Sequence, residues 1–120
     1  MSRVFVIQTT RYPADTSAAA IYGEPFTILG TGDRTSSNPE LSIPKLFKAF
    51  ETFDADKDFV LWAGGDPLSC MLTGAVLAEL GILKYKYLRF EKDRGRSGNG
   101  GTVTGFYVPV QVNLEAEDTN

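Results

Sequence analysis

Phe59-Val60-Leu61-Trp62-Ala63-Gly64-Gly65-Asp66-Pro67-Leu68 is the stretch from which the fold of this chain is read. Phe59 to Ala63 is apolar without interruption, the pattern of a central strand buried on both faces rather than of one half in water. Gly64 and Gly65 break the run. Asp66 then suits a helix N-cap, where a carboxylate accepts from free backbone N–H groups. Pro67 suits the first helical position, where its missing N–H costs nothing. A helix is expected from Leu68 to about Leu80, with Glu79 as its only charge and Gly81 as its stop. Gly74, Ala75 and Ala78 are expected to let it lie close to a sheet. A strand from Lys84 to about Glu91 completes a strand–helix–strand unit over Phe59 to Phe90, and such a crossover joins parallel strands.

Working outward, Ser42 reads as the N-cap of an earlier helix in which Leu46, Phe47, Phe50 and Phe53 recur at helical spacing. Burying that stripe is worth several kcal/mol before entropy is counted. Arg3 to Thr10 reads as a first strand, and Asp15 to Gly23 as a short helical turn capped by Asp15 or Ser17. Pro25 to Leu29 follows as a second strand closed by Gly30. Gly32 to Pro39 reads as a mobile polar loop. At the other end, Thr102 to Leu114 reads as the returning strand of a hairpin, and Pro109 places it at a sheet edge. The expected fold is therefore α/β: one small domain over residues 1–114, with a mixed sheet of about five strands and two main helices. It contains one β-α-β crossover and a C-terminal β-hairpin, and residues 115–120 form a disordered acidic tail.

A chain of 120 residues is enough for one domain. With 42% hydrophobic residues and 8 Phe it can build a core without disulfides or metal. The lone Cys70, beside Leu68, Met71 and Leu72, reads as a buried thiol and argues for a reducing compartment. The apolar run at the N-terminus is too short for a signal peptide, and no stretch approaches the roughly 18 apolar residues of a spanning helix. The expectation is a soluble, cytoplasmic protein with no membrane partner. Histidine is absent. That removes Ser-His-Asp and Cys-His nucleophile systems and any His-ligated metal. An enzyme is disfavoured, and no cofactor or metal is expected.

The net charge of −3 is unevenly spread. Residues 1–83 carry a net −4, residues 84–96 a net +4 and residues 97–120 a net −3, so half of the Lys and Arg fall in thirteen consecutive positions. Four candidate sites follow. Gly64, Gly65 and Asp66 lie where a strand ends and a helix begins, a place where anions and nucleotides bind. But Asp66 brings negative charge, Pro67 deletes a donor, and neither P-loop nor Gly-x-Gly-x-x-Gly spacing is present. A capped tight turn is the favoured reading. Asp54-Ala55-Asp56-Lys57-Asp58 begins like a calcium loop, yet Phe59 and Gly65 stand where Gly and Glu are required, so it reads as a polar turn. Asp33, Asp58 and Asp66 would serve acid–base chemistry only if the fold made them converge.

The fourth candidate is the basic arm: Lys84, Tyr85, Lys86, Tyr87, Arg89, Lys92, Arg94 and Arg96. In a strand Lys84, Lys86 and Leu88 share one face, and Tyr85, Tyr87 and Arg89 the other. Cations beside rings suit backbone neutralisation with base stacking. Set against that, basic residues also protect sheet edges from aggregation, and overall acidity repels nucleic acid.

Tyr22-Gly23 after an Ala-rich turn, Asn38-Pro39 before a helix, Phe59–Ala63 entering Gly65-Asp66-Pro67, and Leu88-Arg89-Phe90 are together similar to small uncharacterised proteins encoded by tailed bacteriophages. The likeness covers about two-thirds of the chain, and Gly95 to Gly101 departs from it. It implies a viral source, with action in the host cytoplasm, and carries no site residues. The expected function is a non-enzymatic phage accessory protein that binds a host or phage macromolecule through hairpin 84–96, with a protein partner favoured. A single-stranded nucleic-acid-binding protein using the same hairpin, a small enzyme or nucleotide binder at Gly64-Gly65-Asp66, and a virion subunit are the alternatives.

Overall fold

The computed structural model describes residues 2–8, 16–92 and 105–115, the side chains of Thr16, Ser17 and Lys92 excepted. Five strands form one mixed sheet: β1 (Arg3–Gln8), β2 (Glu24–Leu29), β3 (Phe59–Leu61), β4 (Lys84–Lys92) and β5 (Gly105–Asn113), in the order β2-β1-β3-β4-β5. Neighbours are parallel except β4 and β5, which pair antiparallel from Lys84–Asn113 to Lys92–Gly105. Helices α1 (Pro39–Phe50) and α2 (Pro67–Glu79) and a 3₁₀ helix (Thr16–Ile21) complete the fold. The expected α/β class, the crossover through α2 and the final hairpin are all present, and β5, with Pro109, is an edge strand.

Alternation along the strands divides the core in two. Phe5, Ile7 and Val60 face Leu46 and Phe50 of α1 and Val76 and Leu77 of α2. Val4, Val6, Leu61, Leu88 and Tyr107 face the other way, where the 3₁₀ helix supplies Ala19. Phe5 anchors the first cluster, stacked on Phe50 at 5.3 Å and edge-on to Phe53 at 5.0 Å. Among the described residues no helix is long and apolar enough to cross a membrane.

Local signals hold around α2. The Asp66 side chain accepts from Leu68 N–H, Pro67 occupies the first turn, and Gly81 ends the helix with φ of 77°. Elsewhere several boundaries shift. Helix α1 starts at Pro39 after Asn38, not at Ser42, because Pro39 presets the first helical φ. Ser42 is instead buried inside the helix and accepts a 2.9 Å hydrogen bond from the Thr35 hydroxyl. Strand β3 ends at Leu61 rather than Ala63, and β1 ends at Gln8, with Thr9 and Thr10 outside the described residues. Gly74 does not meet the sheet: a Cβ there would find nothing within 4 Å, and Ala75 and Ala78 are exposed. The residues of α2 that are buried are Ser69, Thr73, Val76 and Leu77. Two small hydroxyls can occupy that face because each bonds its own helix, Ser69 to the Asp66 carbonyl and Thr73 to that of Ser69. The Gly32–Pro39 loop is tied down in its middle: Thr35 is fully buried, and Ser36 donates twice to Asp66, across 30 residues of chain.

Candidate functional site

The strand-end turn is built around Gln8, the last residue of β1, which is 4% exposed. Its Nε2 donates to the carbonyls of Asp33 (2.8 Å) and Gly30 (3.3 Å), while its Oε1 accepts from Asp66 N–H and the Ser69 hydroxyl, both at 3.1 Å. Gly64 and Gly65 have φ of 126° and 100°, which L side chains avoid, and a Cβ at Gly65 would stand 2.7 Å from Gln8 Oε1. The glycines are needed to turn the chain over this amide.

Asp66 accepts from Ser36 N–H (2.7 Å), the Ser36 hydroxyl (2.7 Å) and Leu68 N–H (3.0 Å). These bonds, the Ser36 hydroxyl first, hold its carboxyl below the usual aspartate range. The amides that an anion would seek at positions 66 and 68 are thus engaged by Gln8 and Asp66. Geometry favours the capped turn over a phosphate cradle.

The three aspartates do not converge. Asp33 stands beside this turn, accepting from Gly30 N–H and the Lys45 ammonium, and the Lys45 contact leads in lowering its pKa. Asp58 is at the opposite end of the sheet, where its carboxylate accepts from Arg3 N–H at the start of β1 and from Asp54 N–H. The stretch 54–58 is a turn whose carboxylates serve backbone amides: Asp54 also accepts from Asp56 N–H. Among the described residues no group of three or more Cys, Asp or Glu is gathered as a metal site.

On the hairpin the antiparallel register sets Lys84 opposite Asn113 and Lys86 opposite Gln111. These four side chains, with Ala55 and Asp56, line an open polar cleft of about 450 Å³. Lys84 is 3.3 Å from Glu115, and the Lys86 ammonium lies over the Phe59 ring at 4.9 Å. Gln111 and Asn113 were not legible as partners, since nothing local to them signals a site and only the register brings them in. Tyr85 and Tyr87 point to the other side, half-buried against the α1–α2 core. Burial, and after it the nearby Cys70 thiol, pushes both phenols up. Arg89 is paired with Glu91 on its own strand at 2.7 Å. Arg94, Arg96 and the side chain of Lys92 lie outside the described residues.

The position of the basic arm also bears on edge protection. β4 is an internal strand, flanked by β3 and β5, whereas edge strand β5 has neither Lys nor Arg from Gly105 to Asn113. Pro109, which lacks an N–H, is what interrupts that edge. Lys86, paired by β3 on one side and β5 on the other, is therefore free of the structural task that basic residues perform on edge strands.

The family model described as Phage Pam3 gp32-like protein matches residues 2–114 of this chain. No curated protein and no solved structure matches it.

Proposed function

The chain belongs to the Phage Pam3 gp32-like protein family, and from that premise we propose that it is a non-enzymatic accessory protein that binds a macromolecular partner through the β4–β5 hairpin. The observation that carries this reading is the register that gathers Lys84, Lys86, Gln111 and Asn113 around one open cleft. The Lys86 ammonium and the Asn113 amide, with Lys84 exchanging from Glu115, recognise carboxylates, while the Gln111 amide is spent on the Tyr85 and Val112 carbonyls, so the favoured partner is a host or phage protein with an acidic face, met in the host cytoplasm. A single-stranded nucleic acid would need rings open to stacking beside the cations, and Phe59 is covered by the Lys86 ammonium and packs on Tyr22. Tyr85 and Tyr87 are instead packed on the opposite side of the sheet.

The test compares the wild-type protein with the doubly neutralised Lys84→Gln, Lys86→Gln variant. Each is offered to lysate of phage-infected cells and, separately, to fluorescent single-stranded RNA and DNA across a salt series. A specific protein retained by the wild type and lost by a folded variant is the expected result. Equal retention by both refutes the assignment of the hairpin. Nucleic-acid binding that falls steeply with salt and disappears in the variant transfers the site to the nucleic-acid reading.

A further inference from the structure

The helical side of the sheet is covered only in part. Residues directly opposite in an antiparallel pair share a face. Val112 and Val110, opposite Tyr85 and Tyr87, therefore lie on the side that carries the α1–α2 core. Val108 and Phe106, opposite Arg89 and Glu91, continue the same row. Yet, among the described residues, none of β5 belongs to that core. β5 packs on β4 and, across the sheet, on the 3₁₀ helix. Val110 is 37% exposed and Phe106 54%. The result is an apolar shelf with no helix upon it.

α2 stands beside this shelf, with Cys70 on the flank that approaches Tyr85 and Tyr87. Its inner face is Ser69, Thr73, Val76 and Leu77. Its outer face is apolar as well: Met71 is 72% exposed, and Ala75 and Ala78 are exposed at the four- and three-residue spacing that aligns them with it. From Pro67 to Glu79 the only charge is the last residue. A surface helix ordinarily turns a polar face to water, and one that is apolar all round is buried. α2 therefore lacks a cover on its outer face, and β5 lacks a helix on its inner row.

Each of these surfaces is what the other needs. We infer that a second copy of this chain covers this side, as a two-fold pair in which the outer face of each α2 lies on the β4–β5 shelf of the other copy. Charge is what selects a second copy. A two-fold contact sets one surface against itself, so like charges on it would meet and repel. The outer row of α2 carries none, and Arg89 and Glu91 at the shelf's end neutralise one another at 2.7 Å. Size agrees with this. A helix about 20 Å long beside two strands up to about 30 Å long gives each copy roughly 500 Å² in plan. Side-chain relief raises the total for the pair above about 1,000 Å², the scale of specific interfaces. Lys84 and Lys86 lie on the opposite face of the sheet, so the pairing is independent of the proposed partner contact.

Sedimentation equilibrium of the full chain from about 1 to 200 µM tests this. The mass of two chains is expected within that range. Val110→Lys on the shelf and Met71→Lys on the outer face of α2 should each weaken the pair about tenfold or more, since each would bury an unpaired ammonium. Both positions are exposed in the single chain, so each variant should fold, which circular dichroism checks. The doubly neutralised Lys84→Gln, Lys86→Gln variant should still pair, which keeps a failure of the partner contact distinct from a failure of the pairing. A single-chain mass throughout overturns the inference. So does a mass beyond two chains, or a pair that either lysine substitution leaves as tight as before.

Discussion

Replacing Gln8 by Met tests whether the strand-end turn is a structural knot rather than a vacant cradle. Methionine keeps the length of the side chain and removes its amide. Four groups lose a partner, but two keep another: the Gly30 carbonyl still accepts from Asp33 N–H at 3.1 Å, and the Ser69 hydroxyl still donates to the Asp66 carbonyl at 2.6 Å. The Asp33 carbonyl and Asp66 N–H are left without their bonds of 2.8 Å and 3.1 Å. A stranded polar group costs roughly 1–3 kcal/mol. Both bonds are only partly buried, which selects the lower half of that range, and the apolar methionine offsets a fraction through its own burial. The expected loss is about 2–3 kcal/mol, lowering Tm by on the order of 10 °C. Urea unfolding followed by Trp62 emission and circular dichroism measures it, provided the slope stays constant. A loss under about 1 kcal/mol would mean that water reaches both groups at little cost. The turn would then be open to solvent, and a ligand cradle at Gly64-Gly65-Asp66 would regain its standing.

Two further outcomes follow from the titrating groups. Asp33 and Asp66 have folded pKa values depressed below the unfolded one, so their stabilisation is present above about pH 4 and is lost as pH falls through the folded values. Asp66→Asn should therefore flatten the decline of the urea midpoint between about pH 4 and pH 2, and a decline as steep as the wild type's would show that Asp66 titrates normally. Burial pushes the Cys70 thiol up, so iodoacetamide should alkylate it more slowly at about pH 8 than it alkylates a free thiol; equal rates would place Cys70 in water.

What was legible in the sequence were the elements whose signals are local. Asp66, Pro67 and Gly81 bracket α2 within its own stretch of chain, and the unbroken run before them places β3 inside the sheet. What was missed depends on distance or on the absence of contrast. α2 is apolar on every side, so periodicity does not say which face meets the sheet, and the small residues Gly74, Ala75 and Ala78 look like that face although Ser69, Thr73, Val76 and Leu77 form it. Asn38-Pro39 begins α1, yet Ser42 carries the stronger local cap signal; its hydroxyl is spent on Thr35, outside the helix. Gln8 stands at a strand end with no neighbour to explain it, because its partners lie 22 to 61 positions away. No local pattern announces a residue of that kind.

The same distinction decides how the basic arm is weighed. From sequence, lysines on a strand next to a proline-bearing strand look like edge protection, and that reading absorbs Lys84 and Lys86 at no cost. It requires them to sit at an edge. The order β2-β1-β3-β4-β5 puts them one strand inside, and leaves the edge to a strand without Lys or Arg from Gly105 to Asn113. Where β4 lies between β3 and β5 its backbone groups are already paired on both sides, so charge there does nothing to prevent edge-to-edge association. Lys86 also gains little from solvation alone, since its ammonium rests over Phe59 rather than standing free. With the protective explanation removed from Lys86, what the register shows on this face is two ammonium groups set opposite Asn113 and Gln111, which is the arrangement the proposed partner contact rests on.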